Sequence, residues 1–140
     1  MHHIDSATRL LRATIAFALL TCLAFAQGAI PQNPPSTTPP HVEGATGPNS
    51  EQKNIEVKKS HNVKVLKMWR KIAGTWYLVW SIDDNINEGL TVTGQTSKTT
   101  KITKNDGKFP ADTEVVVEIE VADQGGDSTS IVSITFNNNA

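Results

Sequence analysis

The sequence has very little cysteine, since Cys22 is the only one among 140 residues. One cysteine cannot close a disulfide within the chain, although small secreted domains often need such cross-links because their cores are small. A folded part of this protein must therefore be stabilised by the packing of apolar side chains or by an oligomer.

Residues that carry enzyme chemistry are also scarce. Of the four histidines, His2 and His3 stand at the N-terminus and His41 lies in a proline-rich segment, which leaves His61 alone. The chain has no serine in a Gly-x-Ser-x-Gly elbow. Its one cysteine, Cys22, lies in the apolar N-terminal run, so no cysteine is left to act as a nucleophile in a folded domain. We therefore predict a protein that is not an enzyme and that has no cofactor and no metal site.

Neither sign of charge dominates, because 13 basic side chains stand against 14 acidic ones. Domains that bind nucleic acid usually have a clear basic excess, so this balance argues against nucleic acid as a partner. An apolar run of about 20 residues, the length that crosses a bilayer, is also missing after residue 26. We expect neither nucleic acid nor a membrane as a partner.

Residues 1–26 have the pattern of a secretory signal peptide. Arg9 and Arg12 precede an uncharged, mostly apolar run over residues 13–26, which ends in Ala24-Phe-Ala26. A basic start, an apolar middle and a small-x-small end are the three features of such a signal. We expect cleavage after Ala26 and a mature protein that is secreted from the cell.

Residues 27–56 contain six of the seven prolines, among serine, threonine and asparagine residues. Large apolar side chains are few in this segment, so it can bury too little surface to offset the entropy lost on ordering. The composition predicts a disordered Pro/Ser/Thr-rich linker. One folded domain is then expected over residues 57–140.

The first part of this domain favours a short helix over residues 61–72. Val65, Trp69 and Ile72 recur at spacings of four and three, and basic residues occupy several positions between them. This is the periodicity of an amphipathic helix. Gly74 follows the pattern, and we expect a sharp change of direction there because glycine tolerates positive φ.

The rest of the domain has the alternation of β-strands. After Gly74, large apolar residues occupy every second position, namely Trp76, Leu78, Trp80 and Ile82. A second alternation covers residues 115–121, and Asp106-Gly107 between the two favours a tight reversal. With the shorter β-branched runs, the sequence predicts about five antiparallel strands in an all-β, up-and-down meander or partial barrel.

The segment Lys71-Ile-Ala-Gly74-Thr-Trp76-Tyr77 resembles the start of the lipocalin barrel, where a Gly-x-Trp motif opens the first strand after a short helical turn. With Trp69 upstream, the chain is similar to the salivary lipocalins of ticks. The resemblance implies structural roles for Gly74 at the turn, Trp76 at the closed end of the barrel and Trp69 on the helix beside it. Because about five strands stand where the family has about eight, it implies a short or truncated member with an incomplete barrel.

The same resemblance implies a ligand site further along the first strand. Trp80 and Ile82 would line this site, Tyr77 would offer an aromatic face, and Asp83 at the mouth of the barrel would hold a cationic group. The implied ligand is a small hydrophobic molecule or a biogenic amine such as histamine.

Two functions are therefore expected. The first is a secreted small-molecule binding protein of lipocalin type, which sequesters such a ligand. The second is a secreted protein-interaction module that uses an open sheet edge, without an enclosed ligand, to bind another protein, such as a host protein. The missing strands favour protein interaction as the mechanism, because an incomplete barrel leaves a sheet edge open. The Gly-x-Trp motif favours descent from the lipocalins, and so the binding of a small ligand.

Overall fold

A computed structural model describes residues 28–38, 40–60, 62–121 and 132–139, and the predicted signal peptide lies outside these ranges. All regular secondary structure within them is β, and none is helical. The strands are β1 (Ile30–Pro31), β2 (Val42–Thr46), β3 (Asn54–Lys58), β4 (Val65–Ile72), β5 (Thr75–Ser81), β6 (Ile86–Asn87), β7 (Leu90–Thr93), β8 (Thr99–Lys104), β9 (Glu114–Ile119) and β10 (Ser133–Asn137). These ranges contain no helix that is long and apolar enough to cross a membrane.

The strands form two antiparallel sheets. The large sheet has the order β1-β5-β4-β9-β2, with β6 also paired to β5, and the small sheet has the order β10-β3-β8-β7. The chain crosses from the small sheet to the large one between β3 and β4, and again between β8 and β9. The all-β, antiparallel prediction is confirmed. The predicted up-and-down order is wrong, because the chain passes repeatedly from one sheet to the other instead of adding each strand beside the preceding one. The two sheets do not close into a barrel.

The inner faces of the two sheets pack together around one apolar core. All the strands except β1 and β6 contribute residues to it, as expected for a sandwich of two sheets. Phe109 joins the core from the loop between β8 and β9, where its backbone exchanges hydrogen bonds of 2.7 and 3.0 Å with Gln52. The core side chains with no exposed surface are Ile55, Val57, Val65, Met68, Ile102, Phe109 and Val117. The space between the sheets is thus filled by the protein's own side chains.

The helix predicted over residues 61–72 is wrong, because the structure has strand β4 at Val65–Ile72. The pairing of β4 with β9 shifts register between Val65 and Lys67. As a result, Val65 and Met68 both face the core between the sheets although they are three residues apart, and Trp69 is buried on the opposite face. A strand that is buried on both faces and interrupted by a bulge places its apolar residues at spacings that imitate a helix.

Gly74 does form a sharp turn, but the turn joins two strands instead of a helix and a strand. Ala73 and Gly74 have φ values of 50° and 83°, and the flanking residues Ile72 and Thr75 pair with each other. Positive φ at both central positions is typical of the two-residue hairpin that best matches the twist of its strands.

The structure also differs from the predicted linker over residues 27–56, since β1, β2 and the first residues of β3 lie within it. Val42 and Ile55 are buried there, with 6% and 0% of their surface exposed. These few apolar residues are enough because sheets that are already formed provide the hydrogen-bond partners: β2 pairs with β9 and β3 pairs with β8. Composition alone does not reveal such partners.

A polar cluster connects the two sheets at one end of the sandwich. The Gln95 side-chain amide accepts a hydrogen bond from the Val65 N–H at 2.9 Å and donates one to the Val65 carbonyl at 2.7 Å. The Lys59 ammonium donates to the carbonyls of Gln95 and Ser97 at 2.9 and 2.8 Å. Burial lowers the pKa of Lys59, and the carboxylate of Glu120 opposes this shift. These bonds satisfy polar groups that would otherwise be buried without partners.

Replacing Gly94 by alanine should destabilise the fold more than the same change at Gly89. Both glycines have positive φ, where a Cβ costs about 1–2 kcal/mol. At Gly94 the new Cβ would also collide with the Thr99 carbonyl, whereas nothing lies within 4 Å of it at Gly89. Chemical denaturation of Gly94→Ala should show a further loss of about 1–3 kcal/mol in the free energy of unfolding. Equal losses in the two variants would contradict the close approach.

Candidate functional site

The outer face of the large sheet, which points away from the small sheet, consists of three rows of side chains that run across the strands. The middle row is apolar, and both flanking rows carry charges. From β5 to β2 the rows are Trp76, Lys71, Glu114 and Thr46; then Leu78, Trp69, Val116 and Gly44; then Ser81, Lys67, Glu118 and Val42. A sheet with an apolar row on each face needs a cover on each side.

An extended segment over residues 32–38, which we name the strap, covers the middle row. It begins after β1 at one edge of the sheet and ends before β2 at the other. The Gln32 N–H donates to the Trp76 carbonyl at 3.0 Å, and the Trp69 indole Nε1–H donates to the Gln32 Oε1 at 2.9 Å. At the far end, Thr37 Cγ2 lies 3.4 Å from the point that a Cβ on Gly44 would occupy. The strap leaves only 3% of Trp69 exposed.

The prolines of the predicted linker suit the strap to this position. Pro34 and Pro35 lack a backbone N–H, and their φ is held near the value of a polyproline helix. A segment that crosses strands cannot pair with them, so residues without an N–H to satisfy are favoured. The segment predicted to be a disordered linker is therefore extended and docked on the sheet.

A groove lies beside the strap on the same outer face. Its volume is about 360 Å³, and it is lined by Trp76, residues 44–46 of β2 and residues 114–116 of β9. Gly44 contributes to its depth, because a Cβ there would stand 3.6 Å from Val116 Cγ2. The groove reaches β2, whose other side has no pairing strand in the part of the chain that the structure describes.

The groove is lined by an aromatic ring and a carboxylate, and the ammonium of Lys71 lies beside both. The ring of Trp76 is half-buried, and the Lys71 ammonium lies 6.0 Å from its centroid. The same ammonium is 3.7 Å from the Glu114 carboxylate. The ring and the carboxylate therefore hold a cation between them, which is a combination that also recognises amines and cationic side chains.

The residues predicted to bind a ligand do not lie on one face. The pairing of β5 with β4 is irregular at Met68 and Trp69, so Trp80 points to the core between the sheets whereas Leu78 points outward. Tyr77 and Trp80 are half-buried against the core. Ile82 is 39% exposed, and Asp83 is exposed in the turn that follows β5. The predicted single apolar face is wrong, because one bulge reverses the alternation within the strand.

The residues predicted to form the structural motif lie close to the strap. Gly74 stands in the hairpin turn, and Trp69 and Trp76 belong to the same outer apolar cluster. The two tryptophans were expected to attach a helix to the base of a barrel. They attach the strap instead, since one bonds to the Gln32 side chain and the other to its backbone N–H.

A further charged group lies on the inner face near the end of the sandwich. The Arg70 guanidinium lies 5.6 Å from the centroid of the Phe109 ring, and its Nε is buried without a hydrogen-bond partner among the described residues. Burial lowers the pKa of Arg70, and the carboxylate of Glu88 opposes this shift. Glu88 also accepts a hydrogen bond from the Ala29 N–H at 3.0 Å and so holds the start of β1. Across the described ranges, acidic, histidine and cysteine side chains form no group of three or more that could hold a metal ion.

Sequence reasoning did not find several residues of this site. Gln32, Gly44 and Thr46 lie in the segment predicted to be a linker, where nothing local marks a residue that contacts a sheet. The alternation over residues 115–121 did predict the strand that holds Val116. It did not indicate that this valine would be buried on the outer face, because that depends on the strap.

No protein-family model matches this chain, and neither a curated protein nor a solved structure matches it.

Replacing Gln32 by alanine should weaken the docking of the strap. The change leaves the buried Trp69 indole N–H without its acceptor, which costs about 1–3 kcal/mol of the free energy of unfolding. In a Trp69→Phe background, where this donor is absent, the same change should cost much less. Asn33→Ala, at the exposed neighbouring position, serves as the control and should have almost no effect. Equal losses for Gln32→Ala in both backgrounds, measured by denaturation, would show that the bond does not hold the strap.

Proposed function

We propose that this chain is a secreted protein-interaction module that binds an extended segment of another protein at the groove and the open β2 edge, without an enclosed ligand. The filled core between the sheets supports this proposal. Ile55, Ile102 and Phe109 have no exposed surface there. A groove of about 360 Å³ lies on the outer face of the large sheet, away from this core.

The two edges of the large sheet support β2 as the binding edge. At one edge, β1 and β6 both pair with β5 and cover most of its length. At the other edge, β2 has five residues, and Glu43 is its only charged residue. Exposed strands with few charges and no proline readily accept another strand, and natural proteins use such edges to bind extended peptides. A segment that pairs with β2 can place a side chain in the groove.

The signal-peptide pattern supports secretion. Arg9 and Arg12 precede the apolar run that ends in Ala24-Phe-Ala26, which is the arrangement of a cleaved secretory signal. A protein without disulfides outside the cell depends on apolar packing, and the two apolar clusters supply it.

Peptides selected from an unbiased display library against the mature protein should bind at this edge and groove. Thr46→Lys places a charge on β2 and should reduce the affinity of the selected peptides by about tenfold or more. Trp76→Ala should have a similar effect, because buried tryptophans often dominate interfaces. Thr93→Lys is the matched control, since Thr93 is also an exposed threonine of an edge strand, but in the small sheet. Affinities can be measured by surface plasmon resonance, and the intact mass of the secreted protein defines its N-terminus.

Two results of this selection would contradict the proposal. One is a library that yields no peptide with measurable affinity. The other is a set of peptides that bind Thr46→Lys and Trp76→Ala as well as the wild type, since these would bind elsewhere.

A second candidate is the binding of a small ligand of the lipocalin type, a hydrophobic molecule or a biogenic amine. The observation that favours it is the Lys71 ammonium between the Trp76 ring and the Glu114 carboxylate, because an amine ligand can replace the lysine in these contacts. Kinship with the lipocalins rests on the Gly74-Thr-Trp76 motif. In this proposal the ligand lies in the outer groove, because the core side chains fill the space between the sheets.

Calorimetric titration with histamine and serotonin tests the second candidate. Binding should release heat, and Glu114→Gln should weaken it by about tenfold, a typical effect of removing one charged partner. Glu118→Gln, on the same strand and outer face, is the control and should bind like the wild type. If Asp83→Asn weakens amine binding and Glu114→Gln does not, the amine binds at the position expected from the lipocalin resemblance. If neither amine gives heat above background, the protein does not bind these amines and this candidate function is contradicted.

A further inference from the structure

We infer that the partner segment is an extended, proline-bearing peptide, which lies in the groove beside the strap and packs against Trp76. This inference rests on the proposed function, because it names the chemistry of the segment that the groove takes. Three features support it: the strap, the groove beside the strap, and the polar groups in and beside the groove.

The strap shows how this face binds a proline-bearing segment. Gln32, two residues before Pro34-Pro35, uses its side chain and its backbone N–H to bind the two tryptophans of the outer cluster. Pro34 is half-buried against the protein. The face therefore already holds one extended segment with two adjacent prolines, and it does so without adding a strand to the sheet.

The groove continues the surface that the strap covers. Trp76 belongs to both, since its carbonyl accepts the Gln32 N–H and its ring forms a wall of the groove. Val116 likewise belongs to the outer apolar cluster and to the groove. Proline-rich peptides dock in grooves lined by aromatic rings, because the rings pack on prolines whose backbone is already ordered. Trp76 is the half-exposed tryptophan of this face, whereas Trp69 is already covered.

The polar groups of the groove match the needs of such a segment. Prolines offer carbonyl oxygens and no N–H, so their binding site needs hydrogen-bond donors. The hydroxyl of Thr46 lines the groove, and the ammonium of Lys71 lies beside the groove in the same cross-strand row. The volume of about 360 Å³ is near the small end of the range for ligand pockets, which suits a short stretch of peptide.

A peptide with the sequence of residues 30–38, Ile-Pro-Gln-Asn-Pro-Pro-Ser-Thr-Thr, tests the inference when it is added to the full mature protein. The wild type should bind it, and fluorescence anisotropy of the labelled peptide measures the affinity. A peptide with alanine in place of both adjacent prolines should bind at least about tenfold more weakly, because it is less ordered before binding and loses the ring contacts.

Variants of the protein locate the bound peptide. Trp76→Ala should weaken binding by about 10- to 30-fold, and Trp76→Phe should retain most of it. Thr46→Lys should also weaken binding, and it keeps the test valid if Trp76→Ala does not fold. Ile82→Ala, at an exposed apolar residue away from the groove, should bind the peptide like the wild type.

The Gln32→Ala variant distinguishes a peptide bound in the groove from a peptide that displaces the strap. This variant weakens the strap's attachment, so a peptide that competed for the strap's own place would bind it more tightly than the wild type. A peptide in the groove should bind both proteins with the same affinity. Tighter binding to Gln32→Ala, or unchanged binding to both Trp76→Ala and Thr46→Lys, would overturn the inference.

The failure of this inference is distinguishable from the failure of the proposed function. Equal binding of the proline and alanine peptides would overturn the inference, as would no binding of either peptide at millimolar concentration. The proposed function would then stand if the library yields peptides without prolines that still depend on Thr46 and Trp76. It would fall with the inference if the library yields none.

Discussion

The need to cover both faces of the large sheet determines most of this structure. In β4, the consecutive residues Met68 and Trp69 are buried on opposite faces, and β9 likewise has Val116 on the outer face between inward-facing valines. Such a sheet is stable in water only when each apolar face is covered. The small sheet covers the inner face, and the strap covers the middle row of the outer face. The position of β1 and β2 at opposite edges follows from the path of the strap.

The candidate binding surface is what the strap leaves uncovered. Because Gln32 bonds to Trp69 and Trp76 at one end, and Thr37 lies against Gly44 at the other, the strap covers the apolar row and leaves the row of Trp76, Lys71 and Glu114 open. This row ends at β2, whose outer edge is unpaired among the described residues. Peptide binding, amine binding and the docking of the strap all involve the same tryptophan, so any partner in the groove is in contact with a residue that holds the strap. A partner that binds only the folded protein there is expected to raise its stability against unfolding.

The strand elements were predicted best where one local pattern decided them. The alternation over residues 115–121 gave β9 its correct type, and the positive φ at Gly74 was expected from glycine itself. The prediction was wrong at β4, where a bulge imitates the period of a helix, and at Trp80, where another irregularity changes the face of the side chain. Of the site, Trp76 was singled out from the sequence, but in a different role. Gln32 and Gly44 carry no local signal, because their role depends on residues far away in the chain.

By itself, the sequence determined that the fold is all-β and antiparallel, that no disulfide supports it, and that the chain reverses at Gly74. These properties depend on backbone preferences and on the composition of short segments. Only the tertiary structure decided that the strands form two open sheets, that the proline-rich segment docks as a strap, and that Trp69 and Trp76 hold it. The physical reason is that strand order, bulges and the covering of a sheet face depend on contacts between residues that are far apart in the chain. A local sequence pattern does not show which of these contacts form.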